Sequence, residues 1–166
     1  MGLIQASQHS VIFIQTSIFQ LSNAHWEGVF EIHETELTLK YCQFINKKSP
    51  IGGVDRATIV KLVVEGCSLS HNSAGEIGGA LHLHHTWLTL SGSGVYNNTA
   101  TKLAGGIHAE YHSKVYISDS YIDNNVTPRY GSDILCTSEI VMIDNATYIG
   151  ANDVFVTEPC CTLHVV

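Results

Sequence analysis

Charge is the first thing this chain lacks. Its 166 residues carry 14% charged side chains, against about 25% in an ordinary soluble domain. The basic side is the poorer: Lys and Arg total 8 and Asp and Glu total 15, a formal net charge of −7 with neutral His. So few cations argue against a partner gripped by its phosphate backbone, and no nucleic acid is expected. Long apolar runs are missing too. No stretch reaches the roughly 18 consecutive apolar residues of a membrane-spanning helix, so no transmembrane segment is expected. The opening Met1-Gly2-Leu3-Ile4-Gln5-Ala6 lacks a basic region, and Gln5, Ser7, Gln8, His9 and Ser10 interrupt its apolar residues, unlike a signal peptide. Ala6 stands where the myristoylation pattern wants Ser or Thr. Such a start fits a mature N-terminus or a fragment edge equally. Among the five cysteines, Cys42, Cys67, Cys136, Cys160 and Cys161, there is no CxxC, which sets aside the common zinc patterns. Buried free thiols are one reading of them. A disulfide among Cys136, Cys160 and Cys161 is the other, and an odd count leaves at least one thiol free or joined to another chain.

What is present is apolar and small. The chain is 45% hydrophobic, with 14 Gly and 10 His, too hydrophobic for disorder and long enough for one core. It repeats. The tripeptides Gly52-Gly53-Val54, Gly79-Ala80-Leu81, Gly105-Gly106-Ile107 and Ser132-Asp133-Ile134 place an aliphatic residue at intervals of 27, 26 and 27, and a shortened copy ends at Val154. Phe19, Phe44, Leu69, Val95, Ile122 and Tyr148 step by 25, 25, 26, 27 and 26. Two residues before each lies a small residue: Ser17, Cys42, Cys67, Ser93, Ser120 and Ala146. Shortly after come Asn46, Asn72, Asn98 and Asn125. A third landmark alternates: Leu37-Thr38-Leu39, Leu62-Val63-Val64, Leu88-Thr89-Leu90, Val115-Tyr116-Ile117 and Ile140-Val141-Met142.

Each repeat thus holds three short segments of period two, separated by Gly, Asn or Ser bends, with no helical stretch. Three strands in ~26 residues cannot cover their own apolar face, but stacked copies can, at about 4.8 Å per step. The pattern predicts an all-β, single-stranded, right-handed parallel β-helix of about six rungs. It forms one domain over 1–166, with repeats near 11–36, 37–61, 62–87, 88–113, 114–138 and 139–166. Val54, Leu81, Ile107, Ile134 and Val154 are expected in one inward ladder, and Phe44, Leu69, Val95, Ile122 and Tyr148 in another. An antiparallel sandwich would give turns at 8–12-residue spacing but no reason for this register. Asn46, Asn72, Asn98 and Asn125 are expected to form a structural amide ladder, because a buried Asn is costly unless its equivalent one rung away answers it.

Leu69-Ser70-His71-Asn72-Ser73-Ala74 followed by Gly78-Gly79-Ala80-Leu81 resembles the FxxN and GGAI repeats of chlamydial polymorphic outer membrane proteins. It is also similar to repeats in large surface proteins of the pectin-lyase-like right-handed β-helix superfamily. Val95-Tyr96-Asn97-Asn98 with Gly105-Gly106-Ile107 is a partial match, and Phe44-Ile45-Asn46 with Gly52-Gly53-Val54 a compressed one. The resemblance covers roughly residues 17–156 and implies an extracellular or cell-surface adhesin or scaffold segment. It specifies architecture better than function. Val11-Ile12-Phe13-Ile14 and Thr162-Leu163-His164-Val165-Val166 read as plain strand with no sealing helix, so self-association or stacking on neighbouring β-helix subunits is expected, even into a filament.

Candidate chemistry is sparse. Leu81-His82-Leu83-His84 and Ile107-His108-Ala109-Glu110 alternate in phase, so His82, His84, His108 and Glu110 are expected together on a solvated outer face. There they are weak candidates for a Zn²⁺ or Cu²⁺ site or a pH-sensitive contact, and no cofactor is otherwise expected. A polysaccharide lyase or epimerase would need clustered carboxylates with a basic partner. Glu110, Asp119, Asp123 and Asp133 with Lys114 or Arg129 are the material for one, but their register does not gather them, and no catalytic residue is assigned. Carbohydrate binding or processing is the alternative to a non-enzymatic structural or adhesive role. Trp26, Trp87, Tyr111, Tyr116 and Tyr121 are available to stack on sugars. Asn97, Asn125 and Asn145 each begin an N-x-S/T triplet, so attached glycans are a further expected partner, with Asn125 the least accessible of the three.

Overall fold

A computed structural model describes residues 4–6, 9–23, 28–58, 61–137, 140–144, 147–150, 154–156 and 162–165. Every regular element among them is a strand, and every pairing is parallel. The chain is a parallel β-solenoid. It visits three sheets in turn and returns to each about one 26-residue repeat later.

The first sheet stacks Ile4–Ala6, Phe30–His33, Asp55–Thr58, Leu81–His84, Ile107–Glu110, Ile134–Cys136 and Val154–Val156. The second stacks Val11–Gln15, Glu36–Lys40, Lys61–Glu65, Trp87–Ser91, Lys114–Ser118, Ile140–Ile143 and Thr162–Val165. The third runs through Ile18–Asn23, Gln43–Ser49, Ser68–Ser70, Gly94–Tyr96, Tyr121–Asp123 and Tyr148–Ile149. A branch from the end of Gln43–Ser49 continues through Ser73–Ala74 and Thr99–Ala100.

Alternation decides which side chains go inside. Leu37, Leu62, Leu88, Val115 and Val141 are in register and buried, and so are Leu39, Val64, Leu90, Ile117 and Ile143. In the third sheet Phe44, Leu69, Val95 and Ile122 form the expected ladder. Phe19 stacks on Phe44 with centroids 4.8 Å apart and planes 6° apart, and Phe30 meets both edge-on.

Three ladder assignments shift by one residue. Asp55, not Val54, pairs with Leu81, because Val54 aligns with Ala80 in the bend before the strand. Ile149, not Tyr148, pairs with Ile122, and Tyr148 stands exposed beside Tyr121. In the last described rungs Val141 and Ile143, rather than Ile140 and Met142, continue the second sheet's inner columns. In each case the repeat interval differs by one from the even spacing that the landmarks assume.

The paired glycines have a steric reason. A Cβ on Gly53 would strike the carbonyl oxygen of Gly79, and one on Gly79 would strike that of Gly105, so successive bends sit too close for any side chain.

Candidate functional site

The corners are tied by side chains. Cys67 Sγ accepts from the Cys42 N–H at 3.3 Å, Ser93 Oγ from the Cys67 N–H at 3.0 Å and Ser120 Oγ from the Ser93 N–H at 3.2 Å. Thr147 Oγ1 continues the row to the Ser120 N–H, and Ala146, the small residue expected at that corner, lies outside the described residues. The hydrogens of Cys67, Ser93 and Ser120 turn back to a carbonyl two residues earlier, as Ser93 Oγ does to Ser91 at 2.8 Å, whereas Thr147 gives its own to the Asp144 carboxylate. A second corner of the same kind uses Thr86 and Ser113. Their 27-residue spacing is visible in the sequence, but sequence reasoning passed over it. Cys42 and Cys67 are free thiols, both buried, and burial pushes Cys67 up to about 11. Cys136 is disulfide-bonded; Cys160 and Cys161 lie outside the described residues. Iodoacetamide at pH 8 is therefore expected to spare Cys42 and Cys67 until denaturant is added, as read by peptide mass. Rapid labelling of the native chain at Cys67 would contradict this.

The amide ladder exists, but it begins one residue later than expected. The Lys47 N–H donates to Asn72 Oδ1 at 3.0 Å, Asn72 Nδ2 to Asn98 Oδ1 at 3.0 Å and Asn98 Nδ2 to Asn125 Oδ1 at 2.9 Å. Asn72, Asn98 and Asn125 are fully buried. Asn46 is exposed and takes no part. It holds φ +56°, the left-handed position shared by His71, Asn97 and Asn124. The ladder residue follows the inward Phe44 by three positions, as Asn72 follows Leu69, and that position is Lys47. Of the triplet asparagines, Asn97 is exposed, Asn125 is committed to the ladder and Asn145 lies outside the described residues.

The acidic candidates are dispersed. Asp133 is fully buried and accepts from Asn125 Nδ2 at 2.8 Å. Asp123 accepts from the Tyr121 hydroxyl and from Asn124 Nδ2, both at 2.7 Å. Asp119 is exposed at a bend, and its N–H donates to the Asp144 carboxylate. Lys114 lies over the Trp87 ring on the second sheet, and Arg129 is exposed. Trp26 lies outside the described residues.

The outer face of the first sheet is the exception to dispersal. His82 and His108 occupy adjacent rungs. Their rings stack with centroids 5.2 Å apart and planes 8° apart. His82 Nε2 lies 2.9 Å from Glu110 Oε1. The solvated face expected here is not found: His82 and His108 are each only 3% exposed. A Cβ on Gly78 would stand 3.0 Å from the Cβ of His82, so the segment leading into the strand folds back across this face. Leu135, next in register after His108, is likewise buried. Burial pushes His108 down to about 4, helped by the neighbouring His82 and opposed by Glu110. Burial alone would raise Glu110, but the His82 hydrogen bond and the charges of His108, His82 and His84 carry it below the usual carboxylate range. The ligand atoms of His82, His108 and Glu110 all lie within 4.8 Å of one another. His84 leaves the group. Its Nδ1 is 3.0 Å from His85 Nδ1, and its ring is 4.5 Å from that of Tyr111.

Comparisons with known protein families, with curated proteins and with solved structures find no match to this chain.

Proposed function

We propose that the chain is a non-enzymatic structural or adhesive solenoid module of the cell exterior that associates with copies of itself or with neighbouring solenoids. The outer face of the second sheet carries this reading. It presents three straight columns. Phe13, Thr38, Val63, Thr89 and Tyr116 fill the middle one, and Val11, Glu36, Lys61, Trp87 and Lys114 one flank. Lys40 and Glu65 stand in the other. Val11 and Phe13 share one strand and are exposed by 74% and 57%, and Trp87, three rungs on, is exposed by 61%; side chains this apolar and this exposed on one face fit a contact surface better than a solvated one. The flanks alternate in sign from rung to rung, Glu36 with Lys61 and Lys40 with Glu65. A second copy laid face to face therefore meets opposite charge. The resemblance of the repeats to surface-protein repeats supports a role outside the cell, where attached glycans at Asn97 are compatible with its exposure.

Carbohydrate binding has less support. Its best material is the row Tyr96, Tyr121 and Tyr148, but Tyr121 and Tyr148 stack on each other at 5.2 Å and so offer ring edges where a sugar needs a face. Electron microscopy and sedimentation across a concentration series test the reading. Concentration-dependent assemblies, weakened by Phe13→Ser with Trp87→Ser, are expected. A monodisperse monomer at high concentration, or turnover of uronic-acid polymers, would overturn it.

A further inference from the structure

We propose that His82, His108 and Glu110 form a site for a divalent transition-metal ion, Zn²⁺ in the first instance, which joins two successive rungs of the solenoid. Two imidazoles and a carboxylate are an ordinary ligand set for such an ion. The three arrive from neighbouring strands of one sheet: His82 from Leu81–His84, and His108 and Glu110 from Ile107–Glu110. Their ligand atoms already lie within 4.8 Å of one another. The 2.9 Å between His82 Nε2 and Glu110 Oε1 is slightly less than the about 3.3 Å that separates two ligands of a tetrahedral Zn²⁺ bonded at ~2.0–2.1 Å. A small outward rotation of either side chain admits the ion between them.

A second, independent observation points to a ligand. Nδ1 of His82 and Nδ1 of His108 are both buried and make no hydrogen bond. A buried polar atom left without a partner is destabilising, and a stacked pair in adjacent rungs incurs that cost twice. A cation that takes Nδ1 of His108 supplies what water no longer does there, while His82 offers Nε2, the nitrogen that faces Glu110. The protonation states are also those a metal needs, since burial keeps His108 neutral and its surroundings keep Glu110 ionised at neutral pH. Leu135 closes the side beyond His108, while the Glu110 side chain keeps 21% of its surface in contact with solvent. That edge is the entry path and the place for a water as the remaining ligand. The ion would act structurally, replacing the weak lateral contact of two imidazoles by bonds that span the rungs.

The test uses the whole chain stripped with EDTA and titrated calorimetrically with ZnCl₂, with Co²⁺ as an optical probe. One Zn²⁺ per chain is expected, with Co²⁺ giving visible ligand-field bands and no intense thiolate charge-transfer band. His108→Gln and Glu110→Gln should each weaken Zn²⁺ binding by about tenfold or more, while His84→Ala with His112→Ala should leave it unchanged. Should His108→Gln fail to fold by circular dichroism, the more exposed Glu110→Gln carries the comparison. Absence of Zn²⁺ binding by the folded wild type, wild-type affinity in Glu110→Gln, or loss of binding in the His84/His112 variant would each overturn the proposal.

Discussion

Asn98→Ala is expected to be among the most damaging single substitutions in this chain. The Asn98 amide accepts from both the Asn72 backbone N–H at 2.9 Å and Asn72 Nδ2 at 3.0 Å, and donates to the Leu69 carbonyl at 2.9 Å. Truncation strands these three partners in a fully buried bend and also takes the Nδ2 donor from Asn125 Oδ1, which keeps the Asn98 N–H. At about 1–3 kcal/mol for each orphaned group, the loss is on the order of 5 kcal/mol. A whole domain is stable by only about 5–15 kcal/mol, so much of the molecule's margin is at stake. The adjacent Asn97 is the control. It is exposed at φ +55°, and Asn97→Gly should shift stability by less than about 1 kcal/mol. Urea denaturation of the two variants checks both statements. Similar midpoints would show that the amide ladder contributes little.

Acid should unfold the metal-free chain more readily than its carboxylates alone require. His108 has its pKa held down to about 4 in the folded state, against about 6.5 when unfolded. Its neutral form is therefore the one that folding favours. The stabilisation is fully present above pH ~6.5 and is lost as the pH falls from there through the folded value. A shift of this size corresponds to about 3 kcal/mol across that window. Glu110 acts in the same sense, because its pKa is also lowered and its contribution fades as the pH drops through the carboxylate range. Chemical denaturation with chelator present, at pH 7, 5.5 and 4.5, should show the midpoint falling, and His108→Gln should flatten the slope between pH 7 and 5. A wild-type midpoint that is level across that range would refute the account.

Much of the fold was legible because stacking imposes its period on the sequence. Leu88-Thr89-Leu90 reads as a half-buried strand by alternation alone, and recurrence at 26 or 27 residues says what covers it. The three inner columns follow. What the sequence blurs is the phase at bends. Phe44 and Asn46 are two apart where Leu69 and Asn72 are three apart, and that mismatch is the available sign that Lys47 occupies the ladder position. The candidate site was half legible. Alternation assigns His82 and His108 to the outer side and stacks them, as found. It is blind to a segment around Gly78 that folds back over that side, because the covering comes from backbone and leaves no apolar pattern to read. The burial that gives these histidines their chemistry is thus a tertiary property.

The amide ladder also has a direction. The amide-to-amide bonds all run toward the C-terminal rungs, from Asn72 to Asn98 to Asn125, while the second hydrogen of each amide goes back to a carbonyl one rung earlier, that of Phe44, Leu69 and Val95 in turn. The last acceptor is the Asp133 carboxylate, eight residues past Asn125 in the chain. An accepting carboxyl oxygen faces the donor end of that row, as an acid does at the start of a helix. The carboxyl group also lacks the two-hydrogen amide group that each Asn uses to continue the row. Asp133 therefore works as a terminator: repeats can be inserted among Asn72, Asn98 and Asn125 without disturbing the line, whereas growth beyond Asn125 requires the aspartate to give way to an amide. In this fold a single carboxylate in place of an amide sets the length of the polar spine.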